Sequence, residues 1–152
     1  MLNINDSAPD FELPDQHGNL LTLDGLLTRG PLLLYFYPAD FSPVCTAEAC
    51  AFRDSFAGVE SVKTQIVGVS PQNEATHARF ADQYAIPFPL LADSRKQLIR
   101  AFGVDGPLGF GVRRATYLID QQKVIRNRVV SDFFVGSHLA LIKETLKAQT
   151  SA

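Results

Sequence analysis

Six consecutive apolar residues, Leu32-Leu33-Leu34-Tyr35-Phe36-Tyr37, run up to Pro38. A run of strand length with no polar position predicts a central strand covered on both faces. Residues 65–70, with Ile66, Val67 and Val69, predict a second buried strand. Upstream, the short apolar runs 11–13 and 20–23 flank a turn-rich link at 14–19, which predicts a small N-terminal β-hairpin. Downstream of Pro38 the breakers Asp40, Ser42 and Pro43 mark a loop, and residues 46–56 carry good helix formers. Apolar positions at Ala75, Ala78, Phe80, Ala81 and Tyr84 predict a helix over 73–84. Residues 87–91 form a short extended piece, and 95–102 a short helix that Gly103 can cap. Residues 115–119 and 124–130 predict strands joined as a hairpin by 120–123. Ser137 is expected to cap a last helix over 138–147, with Leu139, Ile142 and Leu146 on one face. Strands alternating with helices predict an α/β fold, with helices on both sides of a mixed sheet. No linker, repeat or low-complexity tract interrupts the chain, so residues 1–152 are expected to form one domain.

Composition narrows the function more than the fold. The chain has 152 residues, 46% hydrophobic and 20% charged, with a formal net charge of -2. The weakly acidic balance argues against nucleic acid as a partner. No stretch approaches the roughly 18 apolar residues that a membrane helix needs, so no membrane role is expected. The first residues lack a basic segment followed by a long apolar one, which leaves the cytoplasm as the expected location.

Chemistry enters with the two cysteines, Cys45 and Cys50. They could be two inert core thiols, half of a metal site, or a redox pair. Zinc fits poorly, because the region supplies neither a CxxC pair nor a histidine. His17, His77 and His138 lie far apart and read as solvated surface residues. Pro43 suits the first turn of a helix, which places Cys45 where unpaired N–H groups and the helix dipole favour an anion. Those conditions favour a reactive thiolate. Ser42, three residues earlier, could give a hydrogen bond to that thiolate. On a continuous helix Cys45 and Cys50 would stand about 7.5 Å apart along the axis. Were they to bond to each other, the first turns would have to unwind.

The segment Pro38-x-x-x-Ser42-x-x-Cys45 resembles the active-site pattern of the peroxiredoxins. The Tyr-Pro start and Cys45-Thr46-Ala47-Glu48-Ala49-Cys50 are similar to the bacterioferritin comigratory protein, or peroxiredoxin Q, subgroup. Ala8-Pro9-Asp10-Phe11, Leu90-Leu91-Ala92-Asp93, Ala101-Phe102-Gly103-Val104 and Arg114-Ala115-Thr116-Tyr117 extend the resemblance over nearly the whole chain. It implies a thioredoxin-like fold and a monomeric enzyme. It also implies a role for each matching residue. Cys45 would be the thiol that meets peroxide, and Pro38 would shield it. Ser42 would hydrogen-bond the peroxide, Arg114 would face the thiolate, Glu48 would orient that arginine, and Cys50 would be the resolving thiol. Arg113 adjoins Arg114, and strand alternation allows only one of them to face Cys45; the Arg-x-Thr match selects Arg114. Val44 departs from the glycine common at that position.

The resemblance thus implies reduction of hydrogen peroxide and organic hydroperoxides, with recycling by thioredoxin, as antioxidant defence. Neither a metal nor an organic cofactor is expected. Two rivals are a thiol–disulfide oxidoreductase acting on proteins, which the missing CxxC disfavours, and a redox-silent binding module. Phe41, Phe88 and Phe110 are candidates for shaping the substrate pocket.

Overall fold

The computed structural model describes residues 1–132 and 134–150. In chain order it contains β1 (Glu12–Pro14), β2 (Leu20–Thr22), α1 (Leu23–Leu27), β3 (Leu32–Phe36), α2 (Pro43–Ser61), β4 (Gln65–Ser70) and α3 (Glu74–Tyr84). There follow β5 (Leu90–Ala92), α4 (Gln97–Phe102), a 3-10 turn at Pro107–Gly109, β6 (Ala115–Ile119), β7 (Ile125–Val130) and α5 (Val135–Thr150).

β1 and β2 pair as the expected hairpin, and the other strands form one sheet in the order β5-β4-β3-β6-β7. β3 runs parallel to β4 and antiparallel to β6. Every residue of β3 is buried, and its side chains divide between two cores. Leu32, Leu34 and Phe36 join α1 and α4 through Leu26, Leu98, Ile99 and Phe102. Leu33 and Tyr35, with Tyr37 just past the strand, join α2, α3 and α5 through Phe52, Phe80, Leu141 and Ile142. The strand alternation thus builds both layers from one apolar run.

Several boundaries differ from expectation for identifiable reasons. Leu23 does not continue the hairpin: the Thr22 hydroxyl accepts the Gly25 N–H at 3.0 Å and starts α1, a five-residue helix too short to show a period. α2 is longer at both ends than residues 46–56. Only the end of 87–91 becomes β5, and Val124 pairs with Ser7 outside β7. Ser137 lies inside α5 rather than capping it, since the helix already begins at Val135. Gly103 does cap α4, at φ 70°. Asn73 caps α3, its side chain accepting the Thr76 N–H.

Candidate active site

The site lies at the carboxyl end of β3, where the chain leaves the sheet and enters α2. This end of an open α/β sheet is where helix N-termini converge. Ser42 is the N-cap and Pro43 the first helical residue. Cys45 is therefore the third residue of α2, still within the turn whose N–H groups have no partner in the helix. Its sulfur is nearly sealed, with the residue 1% exposed.

Arg114 reaches that sulfur from the segment just before β6. Its Nη2 donates to Cys45 Sγ at 3.1 Å, and its Nη1 donates to Glu48 Oε1 at 2.9 Å. The Nε–H goes to the Asp132 carbonyl at 3.2 Å, which fixes the plane of the fork. Arg113 points elsewhere and pairs with the Asp132 carboxylate at 2.9 Å. Both arginines precede β6 rather than lying in it.

Glu48 stands one helical turn beyond Cys45 and is completely buried. Burial pushes its carboxyl up to about 7, with the Arg114 guanidinium beside it opposing that rise. Burial alone would lower Arg114, but Glu48 and Cys45 hold it above its ordinary value. Glu48 Oε2 has no hydrogen-bond partner among the described residues.

The remaining expected residues are also placed. The Pro38 carbonyl lies 3.4 Å from the Ser70 hydroxyl. Ser42 Oγ donates to the Ala39 carbonyl at 3.1 Å, so its hydrogen must turn away before it can serve a peroxide. Cys50 is half-buried further along the same unbroken helix, and both thiols are free. Phe88 belongs to the core, whereas Phe41 and Phe110 are exposed. A cleft runs between Pro43, Val44 and Ala47 of α2 and Phe134 and Val135 at the start of α5, with Cys45 itself outside its lining. A separate cavity of about 780 Å³ is lined by residues such as Leu26, Arg29 and Lys63 and touches none of the residues around Cys45.

Two histidines overturn the expectation of surface positions, for His77 and His138 are both fully buried while His17 is exposed. His138 Nε2 donates to the Ser131 carbonyl at 2.9 Å, and its Nδ1 meets the Thr116 hydroxyl at 2.7 Å. Burial lowers its pKa, disfavouring the charged ring. His77 Nδ1 meets Asp40 Oδ2 at 2.5 Å, and Tyr37 Oη donates to Asp40 Oδ1 at 2.7 Å. A helical period already placed both: His77 shares a face with Phe80, and His138 with Leu141, Ile142 and Thr145.

Comparison with known proteins adds a second line of observation. The AhpC/TSA family matches residues 4–128. The chain is 36% identical to peroxiredoxin Bcp of Bacillus subtilis, over 96% of this chain and 96% of that protein. It is similar to the crystal structure of peroxidoxin BcpB from Mycobacterium tuberculosis, with a TM-score of 0.91 and 37% identity over 97% and 98% of the two chains. It is also similar to the bacterioferritin comigratory protein of Xanthomonas campestris, a protein with alkyl peroxide reduction activity, with a TM-score of 0.85 and 27% identity over 97% of each chain.

Proposed function

The chain belongs to the AhpC/TSA family as one of its peroxiredoxins, a thiol peroxidase, and from that premise we propose that Cys45 reduces the hydroperoxide and Cys50 resolves it. The observation that supports this reading most directly is the Arg114 fork, with one N–H on the Cys45 sulfur and another on Glu48. A cation and the free N–H groups of a helix N-terminus converge on that buried sulfur, where they offset negative charge on the attacking atom.

The thiolate attacks the terminal oxygen of the peroxide, and the O–O bond breaks. Sulfur loses two electrons and becomes a sulfenic acid, while the departing oxygen takes up a proton as water or an alcohol. Arg114 and the free N–H groups of the first turn stabilise the charge on the breaking bond. Pro38 shields the sulfur, Ser42 turns its hydroxyl to the peroxide, and Glu48 orients Arg114. Cys50 then attacks the sulfenic sulfur, forming the disulfide and releasing water. Two residues five apart on an intact helix lie about 7.5 Å apart along the axis, beyond disulfide reach, so the start of α2 unwinds for this step. A dithiol protein of the thioredoxin type returns two electrons by thiol–disulfide exchange. No step calls for a metal or an organic cofactor.

Substrates are hydrogen peroxide and organic hydroperoxides; the apolar cleft beside Pro43 and Phe134 and the alkyl peroxide reduction activity of the Xanthomonas relative support the latter. The enzyme works as a single-domain monomer in antioxidant defence, and the proposed disulfide, between two thiols of one helix, needs no second copy. The cytoplasm suits a cycle that needs reduced thiols. No helix of the described residues is long and apolar enough to cross a membrane, and the net charge of -2 fits no nucleic-acid partner.

Peroxide consumption with thioredoxin, its reductase and NADPH tests the assignment. Cys45→Ser should be inactive, and Cys50→Ser should complete one turnover and stop as the sulfenic acid. Sustained turnover by either variant removes that cysteine from its role.

A further inference from the structure

The loop that delivers the chain from β3 to α2 contains a conformation that its residues do not favour. Phe41 sits at φ 66°, a left-handed backbone that a bulky residue adopts only when its surroundings enforce it. The next residue is Ser42, the N-cap of α2. Whatever holds Phe41 therefore sets where the peroxide-facing turn begins.

The residues around it supply that hold from the β4–α3 side. The Phe41 ring meets Phe80 of α3 edge-on, with centroids 5.2 Å apart. Asp40, immediately before, is 5% exposed and bound at three points. Its N–H donates to Gln72 Oε1. Its Oδ1 accepts from Tyr37 Oη at 2.7 Å, and its Oδ2 meets His77 Nδ1 at 2.5 Å. His77 is fixed in turn, since its Nε2 faces the Leu91 carbonyl at 3.1 Å. A carbonyl can only accept, so Nε2 carries a hydrogen, and a single proton lies between Nδ1 and the carboxylate. Every polar atom of the Asp40 side chain and of the His77 ring is thus engaged in a dry site. Such networks rigidify what they touch when fully satisfied.

We propose that Asp40 and His77 are positioning residues for the peroxidase reaction, clamping the strained Phe41 turn to β4 and α3 so that Ser42 and the first turn of α2 stand correctly around Cys45. They touch neither sulfur nor substrate. They act on the geometry of the pocket, and the clamp stays closed while the start of α2 unwinds, giving the helix a fixed point from which to re-form.

This rests on the reading of Cys45 as the peroxide-reacting thiol, so the test is built on a Cys50→Ser parent that isolates that step. Sulfenic acid formation with hydrogen peroxide is followed by quenching, trapping with dimedone and mass spectrometry. A parent that forms no sulfenic acid overturns the reading of Cys45 itself; a reactive parent leaves only the clamp in question. Asp40→Ala removes the acceptor, whereas Asp40→Asn can still accept from Tyr37 and bond to His77. His77→Gln keeps only the Leu91 bond, and His77→Asn keeps only the Asp40 bond. The expected result is that Asp40→Ala and His77→Gln slow sulfenic acid formation roughly ten- to a hundredfold, while Asp40→Asn and His77→Asn stay within about threefold of the parent, as for misplaced against preserved geometry. Melting temperatures are recorded alongside. A purely structural role would lower them without separating the conservative from the disruptive variants in rate. Parent-like rates in Asp40→Ala, or equal losses in the two members of either pair, overturn the clamp. If Asp40→Ala does not fold, the two His77 variants decide.

Discussion

Two histidine–carboxylate pairs flank Cys45, and they are built in opposite ways. On the loop side, Asp40 and His77 meet at 2.5 Å and satisfy each other together with Tyr37 and Leu91. On the helix side, Glu48 Oε2 lies 3.7 Å from His138 Nδ1, beyond a hydrogen bond, and has no hydrogen-bond partner among the described residues. His138 has turned instead to Thr116 and Ser131. One carboxylate is saturated; the other is buried with one oxygen unused among the described residues, and Arg114 is the cation paired with it. The difference follows the chemistry proposed for the two sides. The loop must hold the peroxide pocket still, whereas the start of α2 must come apart for Cys45 to reach Cys50. A buried charge with incomplete compensation makes the helical state costly to keep.

The hardest blow to this contrast falls on Arg114, which ties the helix side to the sulfur. Arg114→Met leaves Cys45 and Glu48 together without a cation. Sulfenic acid formation in the Cys50→Ser background should slow by about 10²–10³-fold, the scale of losing a preorganised donor to developing charge. Arg114→Lys should recover only part of the rate, because an ammonium cannot span Cys45 and Glu48 as the fork does. An unchanged rate in Arg114→Met would detach the helix-side pair from the chemistry altogether.

Glu48 gives the next effect, in stability against pH. Its carboxyl sits at about 7 in the fold, against an ordinary 4.5. The folded state therefore keeps a proton that the unfolded chain has already lost between those values. The contribution is complete below about pH 4.5, is lost as pH rises to about 7, and amounts to about 3 kcal/mol. His138 runs the other way, because burial lowers its pKa and the fold gains as pH rises through the usual imidazole range. Glu48→Gln leaves His138 in place and isolates the carboxyl. Urea unfolding should show the wild type losing about 3 kcal/mol relative to Glu48→Gln between pH 4.5 and 8. Parallel pH profiles would mean that Glu48 puts no load on the helix.

Much of this was legible in the chain. The unbroken apolar run before Pro38 located the central strand, and Pro43 located the helix start and hence the setting of Cys45. The family pattern named Arg114 over Arg113, and in the structure Arg114 is the one that reaches the sulfur. The buried polar atoms were harder to see, because composition makes a histidine or glutamate a surface residue by default. The signal was nonetheless present. Glu48 falls on the same helical face as Cys45, Ala49 and Phe52, all buried, and His77 falls three residues before Phe80. Which partner a buried ring chooses depends on contacts across the sheet, as between Thr116 and His138, and no local period carries that information. The five-residue α1 was hidden for a similar reason, since its evidence is one capping hydroxyl rather than a pattern.

Thr116 offers the mildest change and the finest test of how open the helix-side pair is. Its hydroxyl bonds to His138 Nδ1 at 2.7 Å, and the residue is completely buried. With His138 donating through Nε2 to Ser131, Nδ1 is an acceptor and Thr116 is its donor. Thr116→Val keeps the shape and leaves that acceptor bare, at a cost of about 1–2 kcal/mol at pH 8 by urea unfolding. Below about pH 7 Glu48 carries a proton, and its unpartnered Oε2 needs only a small shift to donate that proton to Nδ1. The cost should then shrink to about half at pH 5, as a replacement hydrogen bond makes up part of the loss. The rate of peroxide reduction should not change, since neither Arg114 nor Cys45 loses a partner. An equal cost at both pH values would show that the pair stays open even when a proton is there to close it, leaving the gap between Glu48 and His138 fixed by backbone packing and not by charge.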